Sequence, residues 1–218
     1  MNSSVWAVWI AAIGNMFSIH MVVVFAPIYL HQVLHYDILN VGIAAAMPTL
    51  VQFAVKMIAG CYSDKITTLS ETQKVRIFNS IAFVGMALCL IALSFTSFYM
   101  LRYFSLFLLI SSAAILGFNT GGFFKSSTLV ARQFSHLVNA VVQVIMCLAM
   151  LTVPPIVFAL TPEGTSSEWM VVFLIHAVLL LLCNSVFCFF GQGEAALFTS
   201  NQRLLNTIGV SSAAARAV

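Results

Sequence analysis

The residues able to carry chemistry are few and stand in apolar surroundings. Lys56 is the only charge between Asp37 and Asp64. It precedes Asp64 by two helical turns, about 12 Å along a helix axis at 1.5 Å per residue. A lysine stem can snorkel only part of that distance. Gln52, Lys56 and Gly60 recur every four residues and so share one helix face. A cation held there attracts an anion; the alternative is an ammonium that snorkels or bonds a backbone carbonyl. Asn15 and Ser18 lie three apart on one face, and Asn139 and Gln143 stack one turn apart. Ser111, Ser112, Asn119 and Thr120 give a fourth apolar run a polar half that ends in Gly121-Gly122. Polar groups are costly in hydrocarbon, so each needs a partner or a cavity. Asn15, Ser18, Lys56, Asn119, Asn139 and Gln143 are candidates for lining a solute pathway. A hydrogen bond to a neighbouring helix is the alternative for each uncharged one. His20 and His176 stand mid-run, where an imidazole that titrates near neutral pH can relay protons; His20 is the better candidate, and packing is the alternative. His31, His35 and His136 fall near run ends, where water solvates them.

No catalytic constellation accompanies these groups. There is no acidic pair within an apolar run, no G-x-S-x-G, no H-E-x-x-H and no phosphate-binding glycine loop. Cys61, Cys89, Cys147, Cys183 and Cys188 fall in or at the ends of apolar runs with no C-x-x-C spacing. They read as small hydrophobes within helices rather than metal ligands or a disulfide framework. Neither an enzyme nor a cofactor is expected. The net charge of +3 is dispersed, without the basic stripe that binds nucleic acid.

The elements that hold these residues follow from composition. The chain is 61% hydrophobic and 7% charged, whereas soluble domains carry about 25% charged residues. Too few charges exist to cover a water-facing surface, so the partner of most of this chain is a lipid bilayer. Six runs reach the roughly 20 residues that cross the hydrocarbon core: 5–30, 41–62, 77–98, the stretch between Arg102 and Lys125, 137–160 and 169–190. The first is longer than a signal-peptide core and lacks a basic leader, so it is predicted to stay as a spanning helix. In lipid each segment must satisfy its own backbone hydrogen bonds, which requires helices; continuous apolarity is not the alternation of a membrane β-barrel. The prediction is an all-α, multi-pass integral membrane protein, with a six-helix transmembrane bundle over 1–190 and a tail over 191–218. Pro27, Pro48, Pro154 and Pro155 fall inside predicted helices and bend them. Trp6, Trp9 and Trp169 lie near predicted helix ends, where amphipathic rings favour the membrane interface.

Charge sets the orientation. With the N-terminus inside, that side carries Lys65, Lys74, Arg76, Lys125, Arg132, Arg203 and Arg216. The opposite side carries at most Arg102, with Asp37, Glu163 and Glu168. Basic residues accumulate in cytoplasmic loops, so both termini and the tail are predicted to be cytoplasmic. The sequon Asn2-Ser3-Ser4 would then escape glycosylation. A plasma membrane and a vesicle membrane stand as alternatives.

The densest charge cluster, 60–76, holds Asp64, Lys65, Glu71, Lys74 and Arg76. Its Gly60-x-x-x-Asp64-Lys65 resembles the loop motif of the major facilitator superfamily. The chain more specifically resembles the anion–cation symporter family, that of sialin, the vesicular glutamate transporters and the sodium–phosphate cotransporters. Matching pieces run in order from residue 5 to 199: Pro27-Ile-Tyr-Leu, Gly42 with Met47-Pro48, 60–65, Val75-Arg76, Gly117-Phe-Asn119, 131–134, Pro154-Pro155, Glu168-Trp169 with Val172-Phe173, and Phe190-Gly191 with Gly193-Glu194. They correspond to helices 7–12, the C-terminal half of a twelve-helix transporter, so the resemblance implies one half of that fold.

The resemblance also implies roles. The first and fourth helices would line a central cavity, the second and fifth would flank it, and the third and sixth would face lipid. Gly60 would let two helices approach closely. Asp64 would pair with a helix N-terminus and nearby basic groups, and Gly60, Asp64, Lys65 and Arg76 would form an inner gate. The implied function is secondary active transport of small organic or inorganic anions by alternating access, as part or fragment of a twelve-helix transporter. Na+ and H+ stand as alternative coupling ions. Completion would need a second six-helix half or a homodimer. The alternative is a truncated, non-transporting relative that regulates or scaffolds a full-length one. The chain departs from the family at several places: several anion-transporting relatives have arginine where Asn15 stands, and the family has an apolar residue where Lys56 stands, often an Asn-bearing turn where Ala140 to Gln143 lies, and often proline where Arg132 stands. Lys56 is therefore expected to supply the positive charge that Asn15 lacks.

Overall fold

A computed structural model describes residues 3–98, 102–196 and 199. Asn2, Arg203 and Arg216, and with them most of the predicted tail, lie outside the described residues. The described chain is helical: α1 (Ser3–Gln32), α2 (Ile38–Lys65), α3 (Glu71–Phe98), α4 (Arg102–Leu116), α5 (Phe123–Ala131), α6 (Ser135–Leu160) and α7 (Ser166–Phe190). A 3-10 turn, Gly117–Gly121, separates α4 from α5, and a second one, Arg132–Phe134, leads into α6. Five stretches are long and apolar enough to cross a membrane: Ser3–Gln32, Asn40–Lys65, Glu71–Thr96, Arg102–Leu160 and Ser166–Phe190. The fourth contains α4, α5 and α6. Pro27, Pro48, Pro154 and Pro155 all sit inside helices that continue through them.

The core is built on α7, which packs against both α1 and α3. Small residues on α1 (Ala7, Ala11, Ala12) and on α3 (Ala82, Ala87) are buried; small side chains let membrane helices approach and gain van der Waals contact. Near the Gln32 end of α1 the packing is aromatic. Tyr29 stands edge-on to Trp169 at 5.4 Å and to Phe173 at 5.1 Å between ring centroids, a geometry that adds about 0.5–1.5 kcal/mol per pair beyond area burial. Trp169 is only 1% exposed. It is an interior residue and not an interface anchor, because α7 begins with its first turn already packed on α1. The start of α7 is fixed by a capping box, in which Thr165 and Glu168 exchange hydrogen bonds, Thr165 N donating to Glu168 Oε2 at 2.9 Å. Trp6 is exposed, and Trp9 is half-buried with Nε1 donating to Val138 O on α6.

The outer faces are apolar. Ile43, Leu50 and Phe53 on α2 and Val144, Leu148 and Leu151 on α6 are all exposed. In water this would be an aggregation surface; in hydrocarbon it costs nothing. α3 and α7 pack on one another and present only one side each, through Leu88 and Phe95 and through Val178 and Leu182.

Candidate functional site

The 3-10 turn Gly117–Gly121 is the feature around which the polar groups gather. A Cβ on Gly117 would lie 3.0 Å from Gln52 O and from Val55 Cγ1 of α2, and one on Gly122 would lie 2.9 Å from the backbone N and Cα of Asn79 on α3. Only glycine lets the turn press this close to two helices at once. Gly60 behaves otherwise. A Cβ there would meet nothing nearer than Thr120 Cγ2 at 3.7 Å, an ordinary contact. The close approach that the family resemblance places at Gly60 is made by the glycines of the opposing turn.

Asn119 sits in that turn and is fully buried. Its Nδ2 donates to Asn15 Oδ1 of α1, so two of the candidates from sequence meet. Ser18, one turn along α1 from Asn15, is also buried. Among the described residues neither its Oγ nor Asn119 Oδ1 has a hydrogen-bond partner, and unpaired buried polar atoms of this kind call for an explanation. Gln52 packs beside Gly117 and Gly60 beside Thr120, so Lys56, midway between them on the same face, runs alongside the turn. Lys56 is half-buried and takes part in none of the ion pairs among the described residues.

Asn139 and Gln143 part company. Ser127 Oγ of α5 donates to Asn139 Oδ1 at 2.9 Å, tying α5 to α6, whereas Gln143 is exposed one turn on. The nearest group to His20 Nδ1 is its own helix's Met16 carbonyl at 2.7 Å; His176 makes the same contact to Val172 O and is buried on α7.

The charged end of the bundle gathers around Lys125 on α5. Its Nζ lies 2.8 Å from Asp64 Oδ1, 3.2 Å from Ser63 Oγ and 3.4 Å from Glu71 Oε2. Lys74 in turn pairs with Glu71 and donates to Ile66 O at 2.9 Å, closing the α2–α3 loop. Asp64 therefore meets a basic group in the first turn of α5, whose N-terminus carries a partial positive charge that favours an anion. The Asp64 side chain is 75% exposed and that of Lys125 18%, so the pair is half solvated. Arg76 does not join it. Its Nε and Nη2 donate to Gly191 O and Phe189 O, at 2.8 and 3.2 Å, satisfying carbonyls left open at the end of α7. Lys65 is exposed and belongs to none of these ion pairs.

Several participants were not singled out from sequence as site residues. Lys125 was legible as the lone charge closing an uncharged run on the same predicted side as Asp64. Glu71 and Lys74 stood in the charge cluster over 60–76 without a role of their own, and Ser63 gave no signal. On α3 and α7, Asn79 Nδ2 donates to Asn184 Oδ1 at 3.0 Å, and Asn184 Nδ2 donates to Ser80 Oγ at 3.3 Å. An intramembrane polar ladder of this kind needs both helices in place before it can be seen.

An all-helical bundle with apolar faces, a polar broken turn at its centre and ion pairs collected at one end defines a multi-pass integral membrane protein. The chain belongs to the Major Facilitator Superfamily, whose sequence profile matches residues 5–207. It is similar to sialin of Ovis aries (25% identical over 193 residues, 87% of this chain and 38% of that protein). It is also similar to vesicular glutamate transporter 3 of Danio rerio (25% identical; 87% and 32%) and to a putative inorganic phosphate cotransporter of Drosophila ananassae (25% identical; 87% and 40%). The chain spans about a third of the length of the curated relatives it matches (32% and 38% of the first two).

Proposed function

We propose that this chain is one six-helix half of a secondary active transporter for small organic or inorganic anions, working by alternating access. α4 has 15 residues and α5 has 9, each too short for a core of about 30 Å at 1.5 Å per residue. Joined by the turn they make a single crossing, which brings the count to six, over 1–190, with 191–218 as a cytoplasmic tail. In transporters, irregular backbone at membrane depth is tolerated where it lines a cavity, and the break at Gly117–Gly121 supports that placement. α1 and the α4–α5 crossing would line the cavity, with Asn15, Ser18, Asn119 and Lys56 along it. The exposed apolar sides of α2 and α6 would meet a second six-helix half or a second copy.

The observation that carries the reading is the Asp64–Lys125 pair. It joins α2 to the broken crossing, where making and breaking one contact can gate the cytoplasmic end. The names of two relatives specify glutamate and inorganic phosphate, so the proposed cargo is an anion of carboxylate or phosphate type, with Na+ or H+ as coupling ion and Lys56 as its attracting charge. His20 is the candidate for proton coupling. Uptake of labelled glutamate and phosphate into proteoliposomes tests this. Uptake by the 218-residue chain that Lys56→Met abolishes is the expected result. Equal uptake by the wild type and Lys56→Met would remove Lys56 from the pathway, and absence of uptake with or without a supplied six-helix half would remove the transport reading.

A further inference from the structure

Three consecutive residues of α5 hold three different elements. Lys125 reaches α2, Ser127 reaches Asn139 of α6, and Ser126 Oγ donates to Gln192 O beyond α7 at 2.6 Å. Successive side chains on a helix are about 100° apart, so one turn of α5 is gripped from three directions. The chain after α7 then bonds elsewhere within a few residues. Ser4 Oγ of α1 donates to Gln192 Oε1 at 2.8 Å. Gly193 N donates to Thr72 Oγ1 of α3 at 3.0 Å. Ala196 N donates to Val130 O, back on α5, at 3.0 Å. Arg76 of α3 fastens Gly191. Residues 191–196 thus cross the charged end beneath α1, α3 and α5. A nine-residue helix cut from α4 by a 3-10 turn has little stability of its own, so these bonds decide where it sits.

We propose that residues 191–196 are a strap that latches α5 at the charged end, acting separately from the Asp64–Lys125 pair. α5 can swing about the Gly117–Gly122 break only after the strap releases Ser126 and Val130. The two latches grip α5 through different groups: Lys125 ties it to Asp64 of α2 and Glu71 of α3, and the strap ties Ser126 and Val130 to Thr72 of α3, Ser4 of α1 and the end of α7. The inference needs no substrate and stands apart from the transport reading.

Hydrogen exchange of the full chain in nanodiscs tests it. Thr72→Val removes the acceptor for Gly193 N without touching α5, and Ser126→Ala removes the donor to Gln192. Either should raise exchange of the α5 amides about three- to tenfold, the range expected for one lost hydrogen bond, together with the amides of Gly193 and Ala196. Amides in the middle of α3 and α7 should keep their rates. Thr128→Val is the control, because that hydroxyl donates to Lys125 O of its own helix. Lys125→Met should leave the Gly193 amide protected by Thr72 Oγ1. The proposal fails if α5 exchange is unchanged in both strap variants. It fails equally if exchange rises evenly across α1, α3 and α7, or if Lys125→Met frees the Gly193 amide.

Discussion

Replacing Gly122 by alanine tests which surface holds the bundle at its break. The added Cβ would stand 2.9 Å from Asn79 N, Cα and Cβ, about 0.6–1.1 Å inside the ordinary carbon contact distance. Two of those atoms are backbone, so no rotamer change relieves the clash, and either α3 or the turn must move. Overpacking of this kind costs about 1–3 kcal/mol. For a chain of this length a loss of 1 kcal/mol lowers Tm by about 2–4 °C, so Gly122→Ala should melt several degrees below the wild type, at most about 12 °C. Movement of α3 there would also strain the Asn79–Asn184 bond. Gly60→Ala is the matched comparison, since its Cβ meets only Thr120 Cγ2 at 3.7 Å and alanine is favoured over glycine inside a helix by about 0.5–1 kcal/mol. Thermal unfolding in detergent, followed by tryptophan fluorescence or by reactivity of buried thiols, should place Gly60→Ala at or slightly above the wild type. The opposite order would mean that the close approach is made at Gly60, and the account of the turn would be wrong.

Asp64→Asn should cost no more than about 1 kcal/mol, because a half-solvated pair is worth little. The exchanged variant Asp64→Lys with Lys125→Asp should recover part of that loss in a double-mutant cycle of unfolding. Asn15→Leu strands the Asn119 amide in the core and should cost about 1–3 kcal/mol, whereas Asn15→Leu with Asn119→Leu should cost less than the two single changes together in the same assay. Arg132 adopts φ 43° at the end of α5, so Arg132→Gly should stabilise by about 1 kcal/mol. Arg132→Pro, with φ locked near −65°, should lower Tm.

Much of the scaffold was readable in one dimension. A bilayer forces every crossing to be a long apolar helix, so the predicted runs 5–30, 41–62, 77–98 and 169–190 each fall within a single observed helix. The broken run between Arg102 and Lys125 was readable only in part. Its polar half and paired glycines marked a loosened end, but not a 3-10 turn that restarts as α5 and carries helix on to Ala131. Asn15 and Asn119 stood out because a polar group in hydrocarbon must find a partner, and they found each other across 104 residues.

Facing and pairing were beyond the sequence for a physical reason. A soluble helix advertises its buried side by amphipathic pattern, whereas lipid and protein core are equally apolar, so these helices carry no such pattern. Nothing local says that Trp169 turns inward, that Arg76 reaches the end of α7 rather than Asp64, or that Gly122 and not Gly60 makes the tight contact. Those outcomes are fixed by the approach of segments about 40 to 140 positions apart, and the strap over residues 191–196 exists only because α1, α3 and α5 have ends side by side. Sequence alone determined that this chain lives in a membrane as helices, and where its charge gathers. Only the tertiary structure decided which charges, amides and glycines touch, because in lipid the choice of neighbour rests on shape and hydrogen-bond geometry instead of hydrophobicity.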